Sequence, residues 1–131
     1  MCREGLQVPK CILIVDDSPV IRKALRQELE RHDGWEVCGE STNGREGVEM
    51  AQQLKPDLVL LDFSMPIMNG LEAARELKRL LPSMPLLMFT NYGTDYLEKE
   101  ALSVGISAVV SKAGSIEALV RSIQVLLGRV S

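Results

Sequence analysis

A chain of 131 residues, 46% hydrophobic and 25% charged, has the size and composition of one globular domain, which excludes fibrous, collagen-like and disordered classes. Its net charge of −3 offers no basic face, so direct nucleic-acid binding by this domain is not expected. No apolar run approaches the roughly 18 to 20 residues of a membrane span. Met1 to Leu6 does not open a secretory leader either, and the placement expected is cytoplasmic, away from membranes. The three cysteines, Cys2, Cys11 and Cys38, are odd in number and form no CxxC pair, which argues against a disulfide framework or a zinc site. Free thiols are expected.

Short apolar runs alternate five times with amphipathic stretches, the pattern of a parallel sheet covered by helices on both faces. The first strand is predicted over Lys10 to Val15. Ser18 then suits an N-cap and Pro19 the first helical position, before a stripe of Ile21, Leu25 and Leu29. A second strand over Glu36 to Glu40 precedes a helix starting at Asn43, with Glu46 three residues on as in a capping box and Pro56 beyond its end. The third strand, Leu58 to Asp62, is followed by Asn69-Gly70 and a helix from Leu71 to Leu81 with Leu71, Ala74, Leu77 and Leu81 inward. Leu86 to Thr90 reads as the fourth strand, Asp95 to Val104 as a helix stopped by Gly105, and Ala108 to Ser111 as the fifth strand. A last stripe runs through Ile116, Leu119, Val120, Ile123, Leu126 and Leu127. The first, third and fourth strands are almost wholly apolar and are therefore expected at the centre of the sheet. Five βα units of this size predict a flavodoxin-like, doubly wound α/β fold of strand order 2-1-3-4-5, as a single domain over 1–131 with its core at about 10–127.

In such a sheet ligands bind beyond the carboxyl ends of the strands, at the switch point between the first and third. The residues at those ends are Asp16 and Asp17, Asp62, Thr90 and Lys112. Singly, each has a plain structural reading: a turn, a β-branched strand end, an exposed lysine. Together, three carboxylates at neighbouring strand ends repel one another unless cations offset them. Lys112 supplies one charge, and a hard divalent ion such as Mg²⁺ suits a site of carboxylates, water and phosphoryl oxygen. With those cations and the Thr90 hydroxyl in place, the Asp62 carboxylate can act as a nucleophile towards phosphorus.

In this order and spacing, Asp16-Asp17, Leu61-Asp62-Phe63-Ser64-Met65-Pro66, Asn69-Gly70, Thr90 and Lys112 resemble the response-regulator receiver family across about Lys10 to Leu127. The resemblance implies phosphorylation at Asp62, with Mg²⁺ held by Asp17, by Asp16 through water, by Asp62 and by the backbone carbonyl of Ser64. It implies Thr90 as the switch hydroxyl and Lys112 as the phosphoryl group's charge partner. A sensor histidine kinase or histidine phosphotransfer protein follows as partner, with a switched output. Pairing of two copies across the fourth helix, fifth strand and fifth helix is common in the family. The chain itself reads as a phosphoacceptor that promotes its own phosphorylation and dephosphorylation, not as a turnover enzyme. It departs from the family at Val109, where an aromatic usually stands three before the lysine, at Ala113, where proline often follows in a cis bond, and at Asn91, usually a small residue.

Other readings fit less well. A flavin module would set its phosphate against Asp16-Asp17, and a haloacid-dehalogenase-type phosphatase needs an acid where Ser64 stands. No GxxxxGK[ST] loop supports direct use of ATP. The competitor is a receiver-like interaction module that works without phosphorylation. His32 reads as a residue closing the first helix, Trp35 as packing, and Arg75, Lys78 and Arg79 as a solvated face. Met65 and Met68 flank the site with adaptable side chains suited to a partner.

Overall fold

Residues 8–91 and 93–128 are described by a computed structural model. Five strands, β1 (Lys10–Val15), β2 (Trp35–Ser41), β3 (Leu58–Leu61), β4 (Leu86–Thr90) and β5 (Ala108–Ser111), alternate with helices α1 (Pro19–Glu30), α2 (Gly44–Leu54), α3 (Gly70–Leu80), α4 (Asp95–Ser103) and α5 (Ile116–Gly128). All strand pairs are parallel, in the order β2-β1-β3-β4-β5. The three continuous apolar runs are the three central strands, because only there are both faces of a strand removed from water. Leu13, Val15, Val59, Leu61, Leu86 and Met88 face one way, onto Ala51, Ala74, Leu77, Leu97 and Ala101 of α2, α3 and α4. Ile12, Ile14, Leu58, Leu60, Leu87 and Phe89 face the other way, onto Leu25 and Leu29 of α1 and Leu119, Ile123 and Leu126 of α5. No helix among the described residues is long and apolar enough to cross a membrane.

The helix starts are set by local chemistry. Ser18 caps α1 by accepting from the Ile21 amide, with Pro19 at the first position. Asn43 caps α2 through the Glu46 amide, but Glu46 turns back to the amide of Thr42, one residue outside a regular capping box. The complete box lies at α3, between Asn69 and Glu72, so that helix begins at Gly70, one residue before the predicted start. Leu71 and Leu81, predicted inward, are half-buried; Ala73 joins Ala74 and Leu77 in the core. Gly105 takes a left-handed φ of 103° just beyond α4, as a residue ending a helix there requires.

One expectation is corrected outright: Cys11 and Cys38 are joined by a disulfide, with Cα atoms 5.4 Å apart. Parallel pairing sets Cys11 opposite Glu36, and a register shift then carries Ile12 opposite Val37 but Leu13 opposite Gly39. The extra residue in β2 is Cys38, and the shift brings it towards Cys11 on the neighbouring strand. Spacing along the chain contains no trace of this. Cys2 lies outside the described residues.

Candidate functional site

The β1 ladder ends in Val15, and the next residue, Asp16, is pinned on four sides. Its amide donates to the Ser41 carbonyl of β2 at 3.0 Å, and its Oδ1 accepts from the Ser18 amide at 2.9 Å. Its Oδ2 meets Lys112 Nζ at 2.8 Å, and its own carbonyl accepts from Arg22 at 2.7 Å. Asp16 is 2% exposed, whereas the adjacent Asp17 is open to solvent. Asp62 follows β3, 7% exposed, with its amide bonded to the Val15 carbonyl and its Oδ1 accepting from the Phe63 amide at 2.8 Å. Gly70 is what lets α3 begin so close: a Cβ there would collide with the carbonyl oxygen of Asp62.

The carboxylates of Asp16, Asp17 and Asp62 offer oxygens that all lie within 4.8 Å of one another. Lys112, just past β5, reaches across the sheet to Asp16 and, at 3.4 Å, to Asp62. Its ammonium also stands 6.0 Å over the Phe89 ring. Burial pushes the Asp62 carboxyl above its ordinary range; Lys112 opposes that shift and Asp16 adds to it. One ammonium against three carboxylates, two of them buried, leaves a net negative charge, and hard oxygen donors at this spacing fit a small divalent cation. The acidic cluster can therefore bind a metal ion. Thr90 ends β4, wholly buried and in register with Ser111, and its carbonyl accepts from the Lys112 amide at 3.0 Å. Ser64 is exposed in the loop after Asp62.

The other predicted positions divide clearly. Val109 is half-buried and packed on the α2–α4 side of the core, and the Lys112–Ala113 bond is trans, since no described peptide bond is cis. Met65 and Met68 pack against the same core. Ile67 beside them is 73% exposed at a φ of 72°, a strained conformation for a β-branched residue. His32 pairs with Glu28 at 3.5 Å and stacks on Trp35, with ring centroids 4.8 Å apart. Arg79 pairs with Glu76, Arg75 with Glu100, and Lys78 donates to the carbonyls of Pro82 and Met84. The reading of the residues missed Arg22 and Glu40. The only available signal was an arginine one turn into the helix that follows Asp16-Asp17.

A doubly wound parallel sheet with an acid cluster at its switch point and a lysine reaching into it from the last strand defines a class of flavodoxin-like α/β domains. Residues 12–124 match the response regulator receiver domain, and the chain belongs to that family of two-component signalling proteins. It is 38% identical over 103 residues to chemotaxis protein CheY of Thermotoga maritima, covering 79% of this chain and 85% of that one. A solved two-component response regulator of the LuxR family from Aurantimonas sp. SI85-9A1 superposes with a TM-score of 0.88 at 28% identity, covering 92% of this chain and 86% of that one. The chain is also 40% identical over 119 residues to a protein-glutamate methylesterase/protein-glutamine glutaminase of Alkalilimnicola ehrlichii, covering 86% of this chain but 30% of that protein's length. This likeness overturns the expectation that the chain is not a turnover enzyme: closely similar sequence forms a segment of proteins named for a catalytic activity, and the chain spans less than a third of their length.

Proposed function

We propose that this chain is a single phosphoacceptor domain, with its core at about 10–127, in which Asp62 takes a phosphoryl group from a phosphohistidine of a sensor kinase or phosphotransfer protein. The observation that carries this reading is Lys112 Nζ lying between the carboxylates of Asp16 and Asp62 while Asp17 completes the acid cluster. An Asp62 oxygen forms the new bond to phosphorus as the phosphorus–nitrogen bond to the donor imidazole breaks, and the imidazole departs with a proton. Mg²⁺, held by Asp16, Asp17, Asp62 and the Ser64 carbonyl, would supply positive charge to the phosphoryl oxygens. Lys112 supplies a second charge from the β5 side, and the Thr90 hydroxyl a hydrogen bond from β4. Lys112 is already held beside Asp62 before the donor arrives, so its charge needs little rearrangement during the transfer; this is electrostatic preorganisation.

The switched state is read through protein contacts on the β4–β5 side, without an aromatic at Val109, and the domain works in the cytoplasm. Incubation with a small acyl phosphate and Mg²⁺, followed by intact mass measurement, tests the acceptor role. The expected result is a gain of one phosphoryl mass that Asp62→Asn abolishes. No gain under conditions that label another receiver, or a gain untouched by that substitution, overturns it.

A further inference from the structure

Beside the acid cluster lies a second ionic group that phosphoryl transfer does not use. Glu40, next to last in the edge strand β2, accepts from Arg22 Nε at 3.0 Å and from Arg26 Nε at 2.7 Å, both on α1. Burial pushes the Glu40 carboxyl up, but the bonds from Arg26 and Arg22 outweigh it and hold the group below its ordinary value. Arg22 continues inward: its second arm donates to the main-chain carbonyl of Asp16 at 2.7 Å. Its side chain is 16% exposed and that of Glu40 27%, so the pair is not the fully solvated kind that contributes almost nothing.

The Asp16 carbonyl belongs to the same planar unit as the Asp17 amide. Holding its oxygen sets the plane from which the Asp17 side chain departs. Asp17 is the exposed member of the cluster, with neither the burial nor the lysine that fixes Asp16. A guanidinium suits this task because its donors form a rigid fork that can meet a carboxylate on one strand and a carbonyl on the next turn together.

We propose that Arg22, braced by Glu40, is a positioning residue for the metal site: it holds the Asp16–Asp17 peptide so that the Asp17 carboxylate stands at divalent-ion spacing from Asp16 and Asp62. The inference rests on the reading that this cluster takes Mg²⁺. Its sign separates it from a simple charge effect. A cation near three carboxylates repels a divalent ion, so removing Arg22 tightens Mg²⁺ binding if charge alone matters and weakens it if position matters.

Calorimetric titration of Mg²⁺ into the full chain reads the difference directly, with thermal unfolding run on each variant. Arg22→Met, which keeps the apolar stem, is expected to raise the Mg²⁺ Kd about tenfold, the usual scale for losing a group that orients a metal ligand. Glu40→Gln shifts it less and in the same direction, and Lys23→Met, exposed on the same helix, leaves it within about twofold. Arg22→Lys keeps the charge but not the fork; it is expected to fall between parent and Arg22→Met, and it serves if the methionine variant does not fold. With a small acyl phosphate, the half-saturating Mg²⁺ concentration should rise with Kd, while the labelling rate at saturating Mg²⁺ returns to within about twofold of the parent. A folded Arg22→Met chain with unchanged or tighter Mg²⁺ binding, or an Arg22→Lys chain equal to the parent, overturns the positioning role alone. A parent chain that binds no Mg²⁺ overturns the metal-site reading and this inference with it.

Discussion

The two flanks of the acid cluster are built differently. On the β2 flank, Asp16 is held by Ser41, Ser18 and Arg22, Glu40 ties α1 to the sheet edge, and the Cys11–Cys38 disulfide fastens β1 to β2 at the far end. On the β5 flank the strand is half-buried to exposed along its length, α4 opens with an exposed Tyr96, and Lys112 reaches back across the sheet to the carboxylates. The contrast teaches a division of labour. Carboxylates that repel one another need a stiff frame, and on the proposed acceptor role of Asp62 the more exposed β5 flank is the side on which a new charge would be felt.

Four measurements can break or sharpen this contrast, the largest effect first. Lys112→Met removes the cation that reaches Asp16 and Asp62 from the end of β5 and is expected to slow labelling by a small phosphodonor about a thousandfold; a rate close to the parent's would mean that Lys112 contributes no charge to the transfer. Reducing the disulfide, or replacing Cys11 or Cys38 by serine, should cost about 3 to 4 kcal/mol in denaturant titrations, because a loop of 27 residues is released in the unfolded chain. The labelling rate at saturating Mg²⁺ should hardly change, since the bond lies at the end of β1 away from the site. Gly70→Ala drives a Cβ into the Asp62 carbonyl and should cost about 2 to 3 kcal/mol, with a shift of the Phe63 amide resonance as the loop yields.

The smallest effect concerns pH. The folded chain holds the Asp62 proton more tightly than the unfolded chain, whose carboxyl has the ordinary value of 3.8. Stability from this group is therefore greatest below 3.8 and is lost as pH rises through the raised folded value. Without Mg²⁺, Asp62→Asn should stabilise the chain at neutral pH by on the order of 1 kcal/mol, and the gain should fade as pH falls through that window. Thermal melts at neutral and acid pH check it; a loss of stability at neutral pH would show that Lys112 and Asp62 attract more than burial costs.

Much of this was legible in the residues themselves. Ser18-Pro19, Asn43 and Gly105 mark helix ends because capping is a contact between near neighbours in sequence. Leu58 to Leu61 reads as a central strand because burial on both faces leaves no room for alternation. Asp16, Asp17, Asp62, Thr90 and Lys112 stand out because each lies at or just past the end of a strand legible in the sequence. The capping box of Asn69 and Glu72 is equally local, and its N-cap is the asparagine of the Asn69-Gly70 pair.

Other features exist only once the strands lie in register. The sequence by itself determined the order of elements, the apolar faces and the kinds of group at each strand end, all of which depend on residues a few positions apart. Tertiary structure decided that Lys112 meets Asp16 across 96 positions, that Arg22 reaches the Asp16 carbonyl instead of solvent, and that one extra residue in β2 carries Cys38 to Cys11. Each depends on ångström-scale distances between segments remote in the chain. A shift of one residue in register would turn those side chains to the other face of the sheet, and composition and periodicity would remain the same.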